Sequence, residues 1–131
     1  MKVKVNGVAT IRISVTDVKQ STAWYQKLFD CCPTHESENF ASFQMAGICL
    51  DIVRADDKSP VSKGGSVGYW SVDSFDQALL HATALGAKVY RGPLKVPEIN
   101  RIIAQMEDPF GNVTGFEGRS SFFCPLSSAC C

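Results

Sequence analysis

Two tandem βαβββ units, an α+β architecture in which curled mixed sheets enclose a cleft and helices lie on the outer faces, are predicted by three observations. Alternating apolar and polar residues run from Val8 to Val15 and again from Val67 to Val72, the period-2 mark of a strand with one buried face. An amphipathic helical stretch follows each run, and three further short strand-like segments close each half. The halves also superpose, with Asp17 matching Asp73, Ala23 matching Leu79 and Phe29 matching Leu85, each 56 positions on. This reads as an internal duplication. Two units that each leave a sheet face uncovered are expected to share a cleft, and hence a pocket.

The elements follow in order. Ile11, Ile13 and Val15 make the apolar face of the first strand, opposite Thr10, Arg12 and Ser14. Thr16-Asp17 offers a helix N-cap, and Trp24, Tyr25, Leu28 and Phe29 recur at helical spacing up to Asp30, before Pro33 blocks continuation. Strands are expected around Thr34 to Glu38, Phe40 to Met45 and Ile48 to Val53, with turns at Asn39 and Ala46-Gly47. A polar linker spans 54–65. The second unit repeats the plan: a strand at Val67 to Val72, Asp73 as cap with Asp76 in the first helical turn, and an apolar stripe of Phe75, Ala78, Leu79, Ala82 and Leu85 closed by Gly86. Lys88 to Tyr90, Arg101 to Glu107 and Val113 to Glu117 are its strands. Asp108-Pro109-Phe110-Gly111-Asn112 turns the last hairpin, and Arg91 to Asn100 is read as a loop, a lid over the cleft mouth or a stiff connector. The whole chain is taken as one domain, 1–131, with repeats at about 8–53 and 66–117 and a tail at 118–131.

Composition narrows the function. The chain has 131 residues, 45% hydrophobic and 20% charged, as expected of an ordinary globular domain. Thirteen Lys and Arg balance thirteen Asp and Glu, so no basic excess is present to neutralise nucleic acid or an anionic membrane. No apolar run reaches the roughly 20 residues of a membrane span, and the first residues lack a signal peptide's apolar stretch. A cytoplasmic location is therefore expected. The six cysteines include the adjacent pairs Cys31-Cys32 and Cys130-Cys131, form no C-x-x-C, and lie at no zinc spacing from His35 or His81. They read as reduced thiols, and the two histidines as surface or packing residues.

Ile13-Ser14-Val15-Thr16-Asp17 leading into Trp24-Tyr25-Gln26-Lys27-Leu28, then Val72-Asp73 leading into Ala84-Leu85-Gly86-Ala87, and above all Asp108-Pro109-Phe110-Gly111-Asn112, resemble the vicinal oxygen chelate superfamily. That family includes glyoxalase I, bleomycin and fosfomycin resistance proteins and extradiol dioxygenases. The resemblance runs from about Val8 to Glu117. It implies a divalent metal held by His, Gln or Glu at up to four positions, which here are Thr10, Asp51, Val67 and Gly115. Of these, Asp51 alone is a strong ligand, whereas catalytic zinc needs about three protein ligands. The chain is thus expected to be closest in kind to the metal-free, bleomycin-resistance-like members, with no cofactor and no assigned catalytic residue. The resemblance also implies a homodimer.

The family's ligand positions point into the cleft, so their period-2 partners should too. Arg12, Asp51, Tyr69, Gln105, Glu107 and Glu117 become the candidate binding residues; Cys49 is the one cysteine expected to face the cleft, while Trp24 and Trp70 are assigned to packing. One cation against three carboxylates makes the predicted cleft acidic. The expected function is sequestration of a cationic or polar small molecule, with Asp51 and Glu107 as counter-charges, Arg12 and Gln105 orienting polar groups, and Tyr69 stacking. The alternatives are an Arg12–Asp51 ion pair in a solvated groove, a metal-dependent lyase or transferase with displaced ligands, or a fold retained for assembly.

Overall fold

The computed structural model describes residues 3–119. It divides into two compact units, Met1–Val61 and Ser62–Cys131, so the boundary falls inside the expected linker. Each unit is a four-stranded mixed sheet with one helix.

In the first unit, β1 (Thr10–Val15) is followed by α1 (Val18–Phe29), β2 (His35–Glu36), β3 (Phe40–Met45) and β4 (Ile48–Arg54), arranged in the sheet as β1-β4-β3-β2. β1 and β4 run parallel and put Arg12 opposite Asp51, while β3 and β4 are antiparallel and put Ser42 opposite Asp51. Val15, Ala41, Phe43, Leu50 and Ile52 are buried on the other face, against the helix. At about 1.5–3 kcal/mol for burying each large apolar side chain, this face dictates register, since a one-residue slip would put Asp51 under α1. Asp17 caps α1 by accepting from the Gln20 amide at 3.0 Å. The buried stripe of α1 includes Ser21 and Thr22 beside Val18, Tyr25 and Leu28. Their hydroxyls donate to the carbonyls of Asp17 and Val18, each at 2.7 Å, which lets polar residues sit in the interface. β2 is shorter than the expected Thr34 to Glu38. At the β3–β4 hairpin, Ala46 and Gly47 both take positive φ, 50° and 84°, the signature of a two-residue primed turn.

The second unit repeats the order: β5 (Tyr69–Ser71), α2 (Phe75–Ala84), β6 (Lys88–Val96), a 3-10 turn at Pro97–Ile99, β7 (Arg101–Glu107) and β8 (Val113–Gly118), arranged as β5-β8-β7-β6. β5 is shorter than the expected Val67 to Val72, although the Gly115 amide still donates to the Gly68 carbonyl and the Val72 amide to the Glu117 carbonyl. Phe75, Ala82, Ala104, Met106 and Phe116 form its buried apolar face. α2 ends as a Schellman motif, the Gly86 amide donating to the Thr83 carbonyl and the Ala87 amide to the Ala82 carbonyl.

Two sequence expectations change. Ser74, not Asp73, caps α2, its hydroxyl accepting from the Gln77 amide at 3.4 Å. The repeat offset is therefore 57 rather than 56, pairing Asp17 with Ser74, Val18 with Phe75 and Tyr25 with Ala82, residues that share role and burial. The second correction concerns Arg91 to Asn100, which is no loop. β6 continues through Gly92-Pro93 to Val96, with register irregularities on either side of Arg91. β6 is an edge strand, where a proline costs no ladder bond on the open side and irregular pairing is tolerated. Gly92 sits at φ 88°, and a Cβ there would meet the Ile103 carbonyl oxygen at 2.9 Å. No helix among the described residues is long and apolar enough to cross a membrane. The tail cysteines Cys124, Cys130 and Cys131, with Phe122-Phe123, lie outside the described residues.

Candidate functional site

The polar face of each sheet carries one cross-strand row at the same topological position. In the first unit the row is Arg12 on β1, Asp51 on β4 and Ser42 on β3. Asp51 is buried to 8% exposure yet fully engaged: Ser42 Oγ donates to its Oδ1 at 2.7 Å and Arg12 Nη2 lies 3.6 Å from its Oδ2. Thr10, Cys49 and Gln44 form the next row, with Thr10 exposed and Cys49 partly buried.

In the second unit the corresponding row is Tyr69 on β5, Gly115 on β8, Gln105 on β7 and Arg91 on β6. Gly115 takes the place that Asp51 holds in the first. Tyr69 lies across it, and a Cβ at Gly115 would run into the Tyr69 ring. Having crossed the glycine, Tyr69 Oη accepts a hydrogen bond from Gln105 Nε2 at 2.9 Å. Beside this pair opens a cavity of about 150 Å³ lined by Tyr69, Arg91, Leu94, Ile103, Ala104 and Gln105.

The two remaining candidates flank the row. Glu107 pairs with Lys63 at 3.2 Å, and Glu117 with Arg101 at 3.1 Å. With Arg12 on Asp51, each of the three predicted carboxylates has its own cation. This corrects the expected acidic balance of the polar faces. The reason is positional: Lys63 comes from the end of the linker, and Arg101 is the first residue of β7, in period with Ile103 and Gln105. Ser42, Lys63, Arg91 and Arg101 are the residues that sequence reasoning missed. Ser42 was readable, since it alternates with the buried Ala41 and Phe43. Arg91 was hidden by the Gly92-Pro93 loop signal.

Asp108 behaves as its turn chemistry dictates. Its Oδ1 accepts from the amides of Phe110 and Asn112, both at 2.9 Å, and Gly111 takes φ 94°. This side chain is structural. Trp24 and Trp70 are half-buried, Trp24 edge-on to Tyr25 at 4.9 Å, and both histidines are exposed. Cys31, Cys32 and Cys49 are free thiols. Burial pushes the Cys31 thiol up, helped by Cys32 and Asp30 beside it.

The profile of the Glyoxalase/Bleomycin resistance protein/Dioxygenase superfamily matches residues 7–116. The chain belongs to this superfamily. Solved structures share the fold at low identity. A glyoxalase-related enzyme from Fulvimarina pelagi has a TM-score of 0.72 at 17% identity, covering 95% of this chain and 94% of its own. A member of the superfamily from Burkholderia phytofirmans reaches 0.73 at 19%, covering 86% and 98%. A protein from Agrobacterium tumefaciens reaches 0.73 at 20%, covering 89% and 100%. None of the curated proteins compared with the sequence matches it.

The superfamily's metal makes a test of the donor set. At the four positions that the resemblance implies for a metal, Val67 and Gly115 bring no side-chain donor, Thr10 brings a neutral hydroxyl, and the Asp51 carboxylate is already held by Ser42 and Arg12. Among the described residues no group of three or more His, Cys, Asp or Glu side chains converges as a metal site. These residues do not fit the usual chelating set.

Proposed function

We propose that the protein is a small-molecule binding member of the superfamily that works without a divalent metal, its ligand seated on the Tyr69–Gln105 row of the second unit. The observation that carries this reading is the Tyr69 ring spread over Gly115, a position that by resemblance alone corresponds to a metal ligand of chelating relatives. An aromatic ring fixed by a hydrogen bond beside a partly apolar cavity is suited to hold a small organic molecule by stacking and shape. Because the carboxylates of both polar faces are paired, the ligand is taken to be polar rather than specifically cationic. By resemblance the protein works as a cytoplasmic homodimer, which sedimentation at micromolar concentration checks: a 14 kDa species alone would count against the dimer.

Thermal melting tests the main reading. Small aromatic and alkyl compounds should raise the Tm in the presence of EDTA, and Tyr69→Ala should remove the rise. Stabilisation by Mn²⁺, Ni²⁺ or Zn²⁺ at low excess, lost in Asp51→Ala, would instead establish metal-dependent chemistry. Response to neither would leave the fold to assembly.

A further inference from the structure

We infer that the second unit's pocket selects a small amphipathic carboxylate, with Arg91 and the Tyr69 hydroxyl as its two donors. This inference rests on the reading that the pocket is the ligand site, and it adds the chemical class. Tyr69 Oη accepts from Gln105 Nε2, so its own hydrogen is directed elsewhere and is available to a ligand. Arg91 stands opposite Gln105 in register and lines the same cavity. Its guanidinium offers donors and no acceptor. Both named donors therefore call for an acceptor, and a charged acceptor answers the arginine best.

The surrounding charges agree. Among the described residues no carboxylate lines the cavity, and Glu107 and Glu117 on this face are each held by another cation, Glu107 by Lys63 and Glu117 by Arg101. Lys88 stands opposite Glu107 in register, adding a further cation to the face. Among the described residues no carboxylate pairs with Arg91. An anion arriving at Arg91 thus meets no competing internal partner, whereas a cationic ligand would meet an uncompensated guanidinium. Leu94 and Ile103, opposite each other in register, supply the apolar wall. The cavity, about 150 Å³, has room for a single small ring or a short chain.

Benzoate, benzamide and benzylamine share a ring and differ in the charge of the substituent, so they separate the class from the site. Titration of each into the isotope-labelled full chain, followed at the Gln105 side-chain amide, should place benzoate first by about tenfold or more over benzamide, with benzylamine weakest. Arg91→Ala should cost benzoate about tenfold and leave benzamide within twofold, and Arg91→Lys should recover part of the loss. Arg91 is exposed on an edge strand, so these variants should keep the wild-type circular dichroism. Equal binding of the three probes, unaffected by Arg91→Ala but lost in Tyr69→Ala, would overturn the carboxylate class and keep the pocket. Failure of all three to perturb Gln105 would overturn both.

Discussion

The rows Arg12–Asp51–Ser42 and Tyr69–Gly115–Gln105 occupy the same place in two sheets of the same strand order, yet they do different things. In the first unit a carboxylate on the central strand draws in a hydroxyl from one neighbour and a guanidinium from the other, and the row is closed by its own polar contacts. In the second, the central position has no side chain. A tyrosine from one neighbouring strand crosses the gap to reach a glutamine on the other, and a cavity opens beside them. One position, Asp51 against Gly115, decides whether a carboxylate gathers the polar groups of the row or a tyrosine ring spans it beside a cavity.

Filling the gap in the second row should have the largest effect. Gly115→Ala puts a methyl where the Tyr69 ring lies, and the ring must leave both the glycine and Gln105. An overpacking cost of about 1–3 kcal/mol is expected, read as a lowered urea midpoint with unchanged slope. In a Tyr69→Ala background the cost of Gly115→Ala should largely vanish, because the clash needs both partners. Additive losses would show that Tyr69 does not occupy that space. Breaking the first row at its centre comes next. Asp51→Ala leaves the Ser42 hydroxyl and Arg12 without their acceptor, at about 1–3 kcal/mol, and Asp51→Asn should fall between it and the wild type. A stability change within error for Asp51→Ala would mean that the first row is not closed. Smallest is Arg12→Ala, since the Arg12 side chain is 62% exposed and the pair is long. A loss of about 0–1 kcal/mol is expected, shrinking further at high salt; a larger, salt-independent loss would contradict it.

The comparison also shows what the sequence could and could not disclose. Alternation placed Arg12, Asp51, Gln105, Glu107 and Glu117 on polar faces because each strand buries its opposite residues against a helix, and a slip of register would be costly. The Asp108 to Asn112 turn was legible for a local reason, since Asp108 Oδ1 accepts from amides two and four residues further on. The charge pairs were not, because Lys63 with Glu107 and Arg101 with Glu117 are brought together by chain topology rather than by spacing. Alternation likewise says which face Tyr69 shares with Gly115, but not that its ring leans across the glycine. Arg91 was lost to a rule that holds for central strands: Gly-Pro ends a strand there, whereas β6 is an edge and continues through a register irregularity.

The second row is proposed to be the ligand-facing one, without help from a metal. The most direct measurement is the amide spectrum of isotope-labelled protein with benzoate added in the presence of EDTA. Saturable shifts centred on Tyr69, Arg91, Gln105 and Gly115, with the Arg12, Ser42 and Asp51 signals unmoved, are the predicted result. Shifts centred on Thr10, Cys49 and Asp51, or shifts that arise after Mn²⁺ or Zn²⁺ is supplied and not before, would contradict it.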